Sequence, residues 1–225
     1  MAIAPAFQVT GDSAEKEAPE IQAVIDALGM QPHIEGGYYA ETDRDPWLVP
    51  SPFPNVPSSS PSSSNNEMPL RPGFDPAFRN ASTTIFYLIT PNSSHGNFHR
   101  NRARTVHTLH RGRGRYVLIH ADEETKNGPK RVESFIVGPD VAVGEKLQWI
   151  VEGGKYKASF LPDDEREWEE DGKKTTAAAP GWLLISETVV PGFEFFDHDF
   201  LTKAGLKELI GEDKAKELDW LAQRG

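Results

Sequence analysis

Residues 96–114 read GNFHRNRARTVHTLHRGRG and gather three histidines and five arginines into one short stretch. Imidazole titrates near about 6.5, so a histidine in a pocket can take or give a proton at neutral pH. Its neutral form is also the commonest protein ligand for a metal ion. His107 follows Thr105 by two residues, so the two share one face of a strand, while His110 has the opposite parity and points outward unless a bulge intervenes. A divalent iron site asks for about two imidazoles and a carboxylate, and zinc for three or four donors. His99 and His107 alone fall short of either set. Were a divalent metal bound, these two would hold it; no cofactor is otherwise expected.

The arginines raise a different chemistry, nucleic-acid binding. The chain has 24 basic and 34 acidic residues, a net charge of −10. Such a surface repels phosphate backbones. Gly112 and Gly114 mark a turn on which the arginines are solvated, and no nucleic-acid partner is expected. Cysteine is absent, which excludes disulfides, thiolate metal sites and a cysteine nucleophile.

The elements that must position these histidines are mostly strands. The chain has 225 residues, enough for one domain with a real core. No window approaches the roughly 18 apolar residues of a membrane helix. The first residues lack a basic region followed by an apolar core, so no secretory signal is expected and a cytoplasmic location fits. Residues 1–18 read as a disordered tail, and residues 19–225 as a single domain. PEIQAVIDALGM predicts a short helix, with Pro19 in the first turn, Ile21, Val24, Ile25 and Leu28 on one face, and Gly29 as its stop. Gly36-Gly37 permits a sharp bend, and Tyr38, Tyr39 and Thr42 favour a strand. Residues 46–76 are a Pro/Ser-rich loop with no regular element expected. Strand-like runs then follow at short intervals: STTIFYLIT, NFHR, TVHTLHRG, RYVLIHA, RVESFIVG, LQWIVEGG, KASFLP and GWLLISETVV. Many short strands broken by turns predict an all-β sandwich or barrel. DDEREWEEDGKKTTAAAP is a polar insertion. Residues 202–224 predict one or two helices, with Leu206, Leu209, Ile210, Leu218 and Leu221 as the apolar stripe.

The strand-rich order, together with EGGYYAETDR, FHRN, TVHTLHRGRGRYVL and SETVVPGFEFFDHDFL, resembles the cupins, double-stranded β-helix jelly rolls. More narrowly it is similar to a cupin family of unknown function whose hallmark is the EGGYY-x-ET stretch. The resemblance covers about residues 20–222. It implies a jelly roll, usually a homodimer, with a small-molecule pocket inside the barrel and no agreed reaction. Against the metal-binding cupin motif H-x-H-x(3–4)-E-x(6)-G, the register falls on His99, Asn101, Thr105 and Gly112, and Lys157 stands where a second motif brings another histidine. Only His99 of these is a good ligand.

FHRN also resembles a stretch of the deoxysugar-phosphate epimerases, metal-free cupins in which a histidine removes a proton beside a carbonyl and a tyrosine returns it. That likeness implies His99 as the base, Tyr39 or Tyr38 as the acid, Glu41 or Glu35 to orient or share a proton, and Lys157 or Arg44 to stabilise an enolate. The spaced arginines that such enzymes direct at a nucleotide diphosphate are absent, so a small carbonyl compound or an aromatic metabolite is expected. Phe86, Phe98, Trp149, Phe160, Phe193 and Phe195, with Thr42, Asn101, Thr105 and His107, are candidates to line the pocket. Three functions stay open: a metal-independent isomerase or epimerase, a non-catalytic binding module for an apolar ligand, and a metal-dependent dioxygenase or isomerase. His99 and His107 as hydrogen-bonded core histidines, and Tyr38 and Tyr39 as packing or dimer-interface residues, remain open beside them.

Overall fold

The computed structural model describes residues 16–53, 71–125, 128–162, 168–170, 173–175 and 181–223. In chain order the elements are α1 (Pro19–Leu28), β1 (Gln31–Pro32), β2 (Tyr38–Arg44), β3 (Leu48–Pro50), β4 (Phe78–Asn80), β5 (Thr83–Ile89), β6 (His95–Asn101), β7 (Arg104–Gly112) and β8 (Gly114–Ile119). They continue with β9 (Val132–Val137), β10 (Gln148–Val151), β11 (Tyr156–Phe160), β12 (Trp168–Glu170), β13 (Lys173–Thr175), β14 (Leu183–Val190), β15 (His198–Phe200), α2 (Lys203–Ile210) and α3 (Glu212–Leu218). Two antiparallel sheets dominate, in the orders β1-β2-β5-β14-β7-β10 and β15-β6-β11-β8-β9. The expected all-β jelly roll with short terminal helices is the observed architecture.

Alternation along the strands decides what faces the space between the sheets. Tyr87, Trp149, Val151, Leu183 and Ile185 of one sheet meet Tyr116, Leu118 and Val137 of the other in a buried apolar cluster. The outer face of the five-stranded sheet packs Phe98, Val117, Ile119, Tyr156 and Phe160 against Leu206, Ile210 and Leu218 of the C-terminal helices. Thr202 caps α2 by accepting from the Gly205 amide at 3.1 Å. The outer face of the six-stranded sheet takes α1, with Ile21 and Ile25 against Leu88, Trp182, Tyr38 and Phe86. Gly29 ends α1 in the left-handed region, as its position after the periodic stripe requires.

Three sequence expectations change. Arg113, expected solvated on its turn, is 4% exposed and donates through Nε to Glu145 at 2.6 Å. Glu17, placed in the disordered tail, is buried; Thr90 Oγ1 and Tyr38 Oη donate to its carboxylate at 2.6 and 3.2 Å. The packed chain therefore begins before Pro19. The loop expected over 46–76 contains β3, which pairs with β4 in register Leu48↔Asn80 to Pro50↔Phe78, because Pro50 sits at the end of the pairing where a missing amide is harmless. Residues 1–15 of the tail and 54–70 of the loop lie outside the described residues. No described helix is long and apolar enough to cross a membrane.

Candidate functional site

One half of the barrel interior is apolar and the other half is polar. The polar half starts at Glu35, in the turn between β1 and β2. Gly36 and Gly37 both have positive φ, at 104° and 72°. A side chain at Gly36 would lie 2.2 Å from the His95 carbonyl oxygen, so glycine lets this turn lie directly on β6. The Asn97 amide donates to the Glu35 carbonyl at 2.7 Å, and Tyr87 Oη donates to the Gly36 carbonyl at 2.8 Å. The Glu35 carboxyl is thereby brought under β6 and the start of β15.

There it meets imidazoles. His198 Nε2 lies 2.8 Å from Glu35 Oε1, His99 Nδ1 lies 3.3 Å from Oε2, and His33 Nδ1 lies 3.6 Å from Oε2. The rings of His99 and His198 stack with centroids 5.3 Å apart. His99 Nδ1 is also 2.9 Å from the Asn97 carbonyl. A carbonyl only accepts, so Nδ1 carries the hydrogen and Nε2 is left with its lone pair. Burial pulls the His99 imidazole down to about 3, outweighing the attraction of Glu35, and lowers His33 as well. Burial works against a charge on Glu35, but the surrounding imidazoles, His99 foremost, and the His198 hydrogen bond hold its carboxyl well below the usual carboxylate range. At neutral pH the group is a carboxylate supporting a neutral imidazole.

A second cluster adjoins the first. Lys157 on β11 stands directly opposite His99 on β6, and Glu187 on β14 opposite His107 on β7. Lys157 Nζ pairs with Glu187 and donates to His107 Nε2 at 2.9 Å. His107 and Lys157 are 0% and 2% exposed, so this is a dry ion pair. Burial opposes ionisation of Glu187, yet the Lys157 ammonium holds it well below its ordinary value. Burial and Lys157 together keep His107 low. Trp149 lies flat on His107, centroids 5.0 Å apart at 11°. Asn101 and Thr105, both buried, complete this half, with Asn101 Nδ2 3.4 Å from Thr105 Oγ1.

The structure thus gathers Glu35, His99, Asn101, Thr105, His107, Trp149 and Lys157 from the sequence-derived set. Other candidates lie elsewhere. Phe98 and Phe160 face the C-terminal helices, and Tyr38 and Phe86 face α1, because their strand parity is opposite to that of the inner residues. Glu41 is exposed and clamps Arg44, Nη2 to Oε2 2.7 Å, and Arg44 continues to Glu194, Asn80 and the Phe193 carbonyl. That network ties down chain segments at the rim. Thr42 donates to the Thr84 carbonyl at the surface. Tyr39 packs edge-on against His33 at 4.5 Å, but its hydroxyl accepts from Gln31. Phe195 packs on Phe193, which borders His198.

Sequence reasoning missed His33, His198, Tyr87 and Glu187. Glu187 had a signal: it alternates with the inward-facing Leu183, Ile185 and Val189, and an acid at an apolar-parity position marks a buried partner. His198 had none, since a short helical turn at Phe195–Asp197 precedes it and resets the parity.

The metal pair expected from sequence, His99 with His107, is replaced. His107 is bound to Lys157, and the ligand atoms that converge are those of Glu35, His99 and His198, all within 4.8 Å of one another. Two imidazoles and a carboxylate fit a divalent ion of the iron type, provided His99 gives up its hydrogen bond to Asn97. These three residues would hold such an ion, which would supply Lewis-acid polarisation of a ligand oxygen.

The family described as the Cupin superfamily (DUF985) matches residues 22–201. An uncharacterized protein of Saccharomyces cerevisiae is 42% identical over 204 residues, covering 90% of this chain and 86% of the yeast protein. A hypothetical protein from Leishmania major superimposes with a TM-score of 0.59 at 29% identity, covering 84% of this chain and 90% of that one. A protein from Shewanella oneidensis superimposes with a TM-score of 0.61 at 19% identity, covering 94% of this chain and all of its own, a likeness of fold.

Proposed function

The chain belongs to the Cupin superfamily (DUF985) family, and we propose that it is a metal-independent enzyme of the isomerase or epimerase type, moving a proton on a small carbonyl-containing metabolite. One observation carries this reading: His99 Nδ1 is fixed between the Asn97 carbonyl and Glu35, so its unprotonated Nε2 is left to act. That imidazole removes a proton from the carbon beside the carbonyl. The imidazolium so formed is stabilised by the Glu35 carboxylate, as an orienting acid stabilises a catalytic histidine. Lys157, directly across from His99 on the neighbouring strand, offers positive charge to the developing enolate oxygen. The imidazolium itself returns the proton at the neighbouring position of the enolate, which restores the neutral base, because the Tyr39 hydroxyl is engaged by Gln31 and the Tyr87 hydroxyl by the Gly36 carbonyl. Self-association as a homodimer belongs to this proposal.

The test is solvent exchange. The purified chain is incubated in heavy water with a panel of small hydroxy-carbonyl compounds, and loss of the C–H signal is followed by NMR. The His99→Gln variant should remain folded and lose about 10²- to 10⁴-fold in exchange rate, the usual worth of a positioned base. Exchange that persists in the variant refutes the assignment, and so does a variant that unfolds. A second reading rests on the convergence of Glu35, His99 and His198: a divalent metal at those three residues. Elemental analysis finding about one metal per chain, lost in His198→Ala, would put that reading first.

A further inference from the structure

We propose that the cleft between the free edges of the two sheets is a separate binding site, for a one-ring aromatic carboxylate. β10 ends the six-stranded sheet and β9 ends the five-stranded one. Between these edges lies a cavity of ≈ 270 Å³, at the small end of ligand pockets, enough for one ring and a substituent. Its lining is split by chemistry. Leu118, Trp149, Phe135 and Ile150 supply apolar and aromatic walls, Lys146 and Lys155 bring cations to the same space, and Glu133, His120 and Gln148 complete the lining, so the cations outnumber the one carboxylate.

The two lysines are not equivalent. Lys155 Nζ is taken up by Asp122, at 2.7 and 2.8 Å, and by His120 at 3.0 Å. Lys146 Nζ sits 3.7 Å from the centroid of the Phe135 ring and 3.7 Å from Glu133 Oε1, while the other oxygen of Glu133 is engaged by His120 and Arg131. Lys146 is therefore the cation that can take up an incoming carboxylate beside an aromatic face. Trp149, 4% exposed, forms the inner aromatic wall. An aliphatic anion would cover the aromatic walls poorly, and an uncharged ring would add nothing to the single long ion pair that Lys146 makes with Glu133.

Neither His99 nor Glu35 lines the cleft, and Trp149, which also stacks on His107, is the residue the two sites share. It is tested by titrating benzoate into the full chain, read by calorimetry and by the indole N–H resonances, with Trp149 assigned as the signal missing from Trp149→Phe. Saturable binding that moves the Trp149 resonance is expected. Lys146→Gln, at a half-exposed position, should weaken it by about tenfold or more, and benzamide and cyclohexanecarboxylate should each bind more weakly by a similar factor. No saturation by benzoate, unchanged affinity in Lys146→Gln, or a shift confined to another tryptophan overturns the proposal. Binding of benzoate should survive in His99→Gln, so failure of one proposal leaves the other standing.

Discussion

Replacing Lys157 with methionine keeps most of the side-chain volume and deletes the charge. It leaves Glu187, whose side chain is 9% exposed, without its ammonium partner in the barrel. Breaking a buried pair from one side costs about 3–5 kcal/mol. For a chain of this length each kcal/mol moves Tm by about 2–4 °C, so Tm should fall by about 6–20 °C near pH 8. His107 gives the prediction a pH signature. In the intact protein burial and Lys157 hold it low; without Lys157 it faces only the Glu187 carboxylate at 3.5 Å, and its folded pKa rises. A lowered folded pKa costs the intact protein stability as pH falls below the unfolded value, about 6.5 for histidine, and the variant, with Lys157 gone, carries less of that cost. The variant's deficit should therefore shrink at about pH 5.5. Glu187 has the opposite sign: its lowered pKa stabilises the intact protein above its ordinary value of 4.5 and fades as pH falls below it. Thermal unfolding by circular dichroism near pH 8 and about pH 5.5 reads the His107 effect, and a third series at about pH 4 reads that of Glu187. A Lys157→Met protein within about 2 °C of the parent near pH 8, or with the same deficit at the first two pH values, would refute the assignment of this trio.

Two further perturbations test the frame. Gly112 has φ +84°, and a side chain there would lie 1.9 Å from the Trp182 carbonyl oxygen; Gly112→Ala should cost several kcal/mol and lower Tm by about 10 °C or more in a melting curve. Thr202→Ala removes the cap of α2 and should cost about 1 kcal/mol, seen as a small fall in urea midpoint with unchanged slope.

Much of the fold was legible because strands announce themselves locally. STTIFYLIT, RYVLIHA and GWLLISETVV became β5, β8 and β14, and Ile21, Val24, Ile25 and Leu28 placed α1. Gly36-Gly37 was legible as a bend, since only a residue without a side chain tolerates those φ values and that approach to β6. The motif register of the resemblance marked His99, Asn101 and Thr105, and strand parity put His107 on the same face as Thr105. Apart from Trp149, the aromatic lining failed for the same reason that parity works: Phe98 is one residue from His99 and faces the helices instead. Knowing that a residue is aromatic does not say which side of the sheet it occupies.

The sequence by itself determined the family, the β architecture and the first histidine of the site, all of which rest on patterns a few residues long. Only the tertiary structure decided what that histidine works with. Glu35 and His198 stand 64 and 99 positions from His99 along the chain, and they meet because a glycine turn lies on β6 and β15 adds to its edge. The same is true of Lys157 and Glu187, which oppose His99 and His107 through strand register. Contacts across strands depend on register and on the facing of two sheets, neither of which local periodicity specifies.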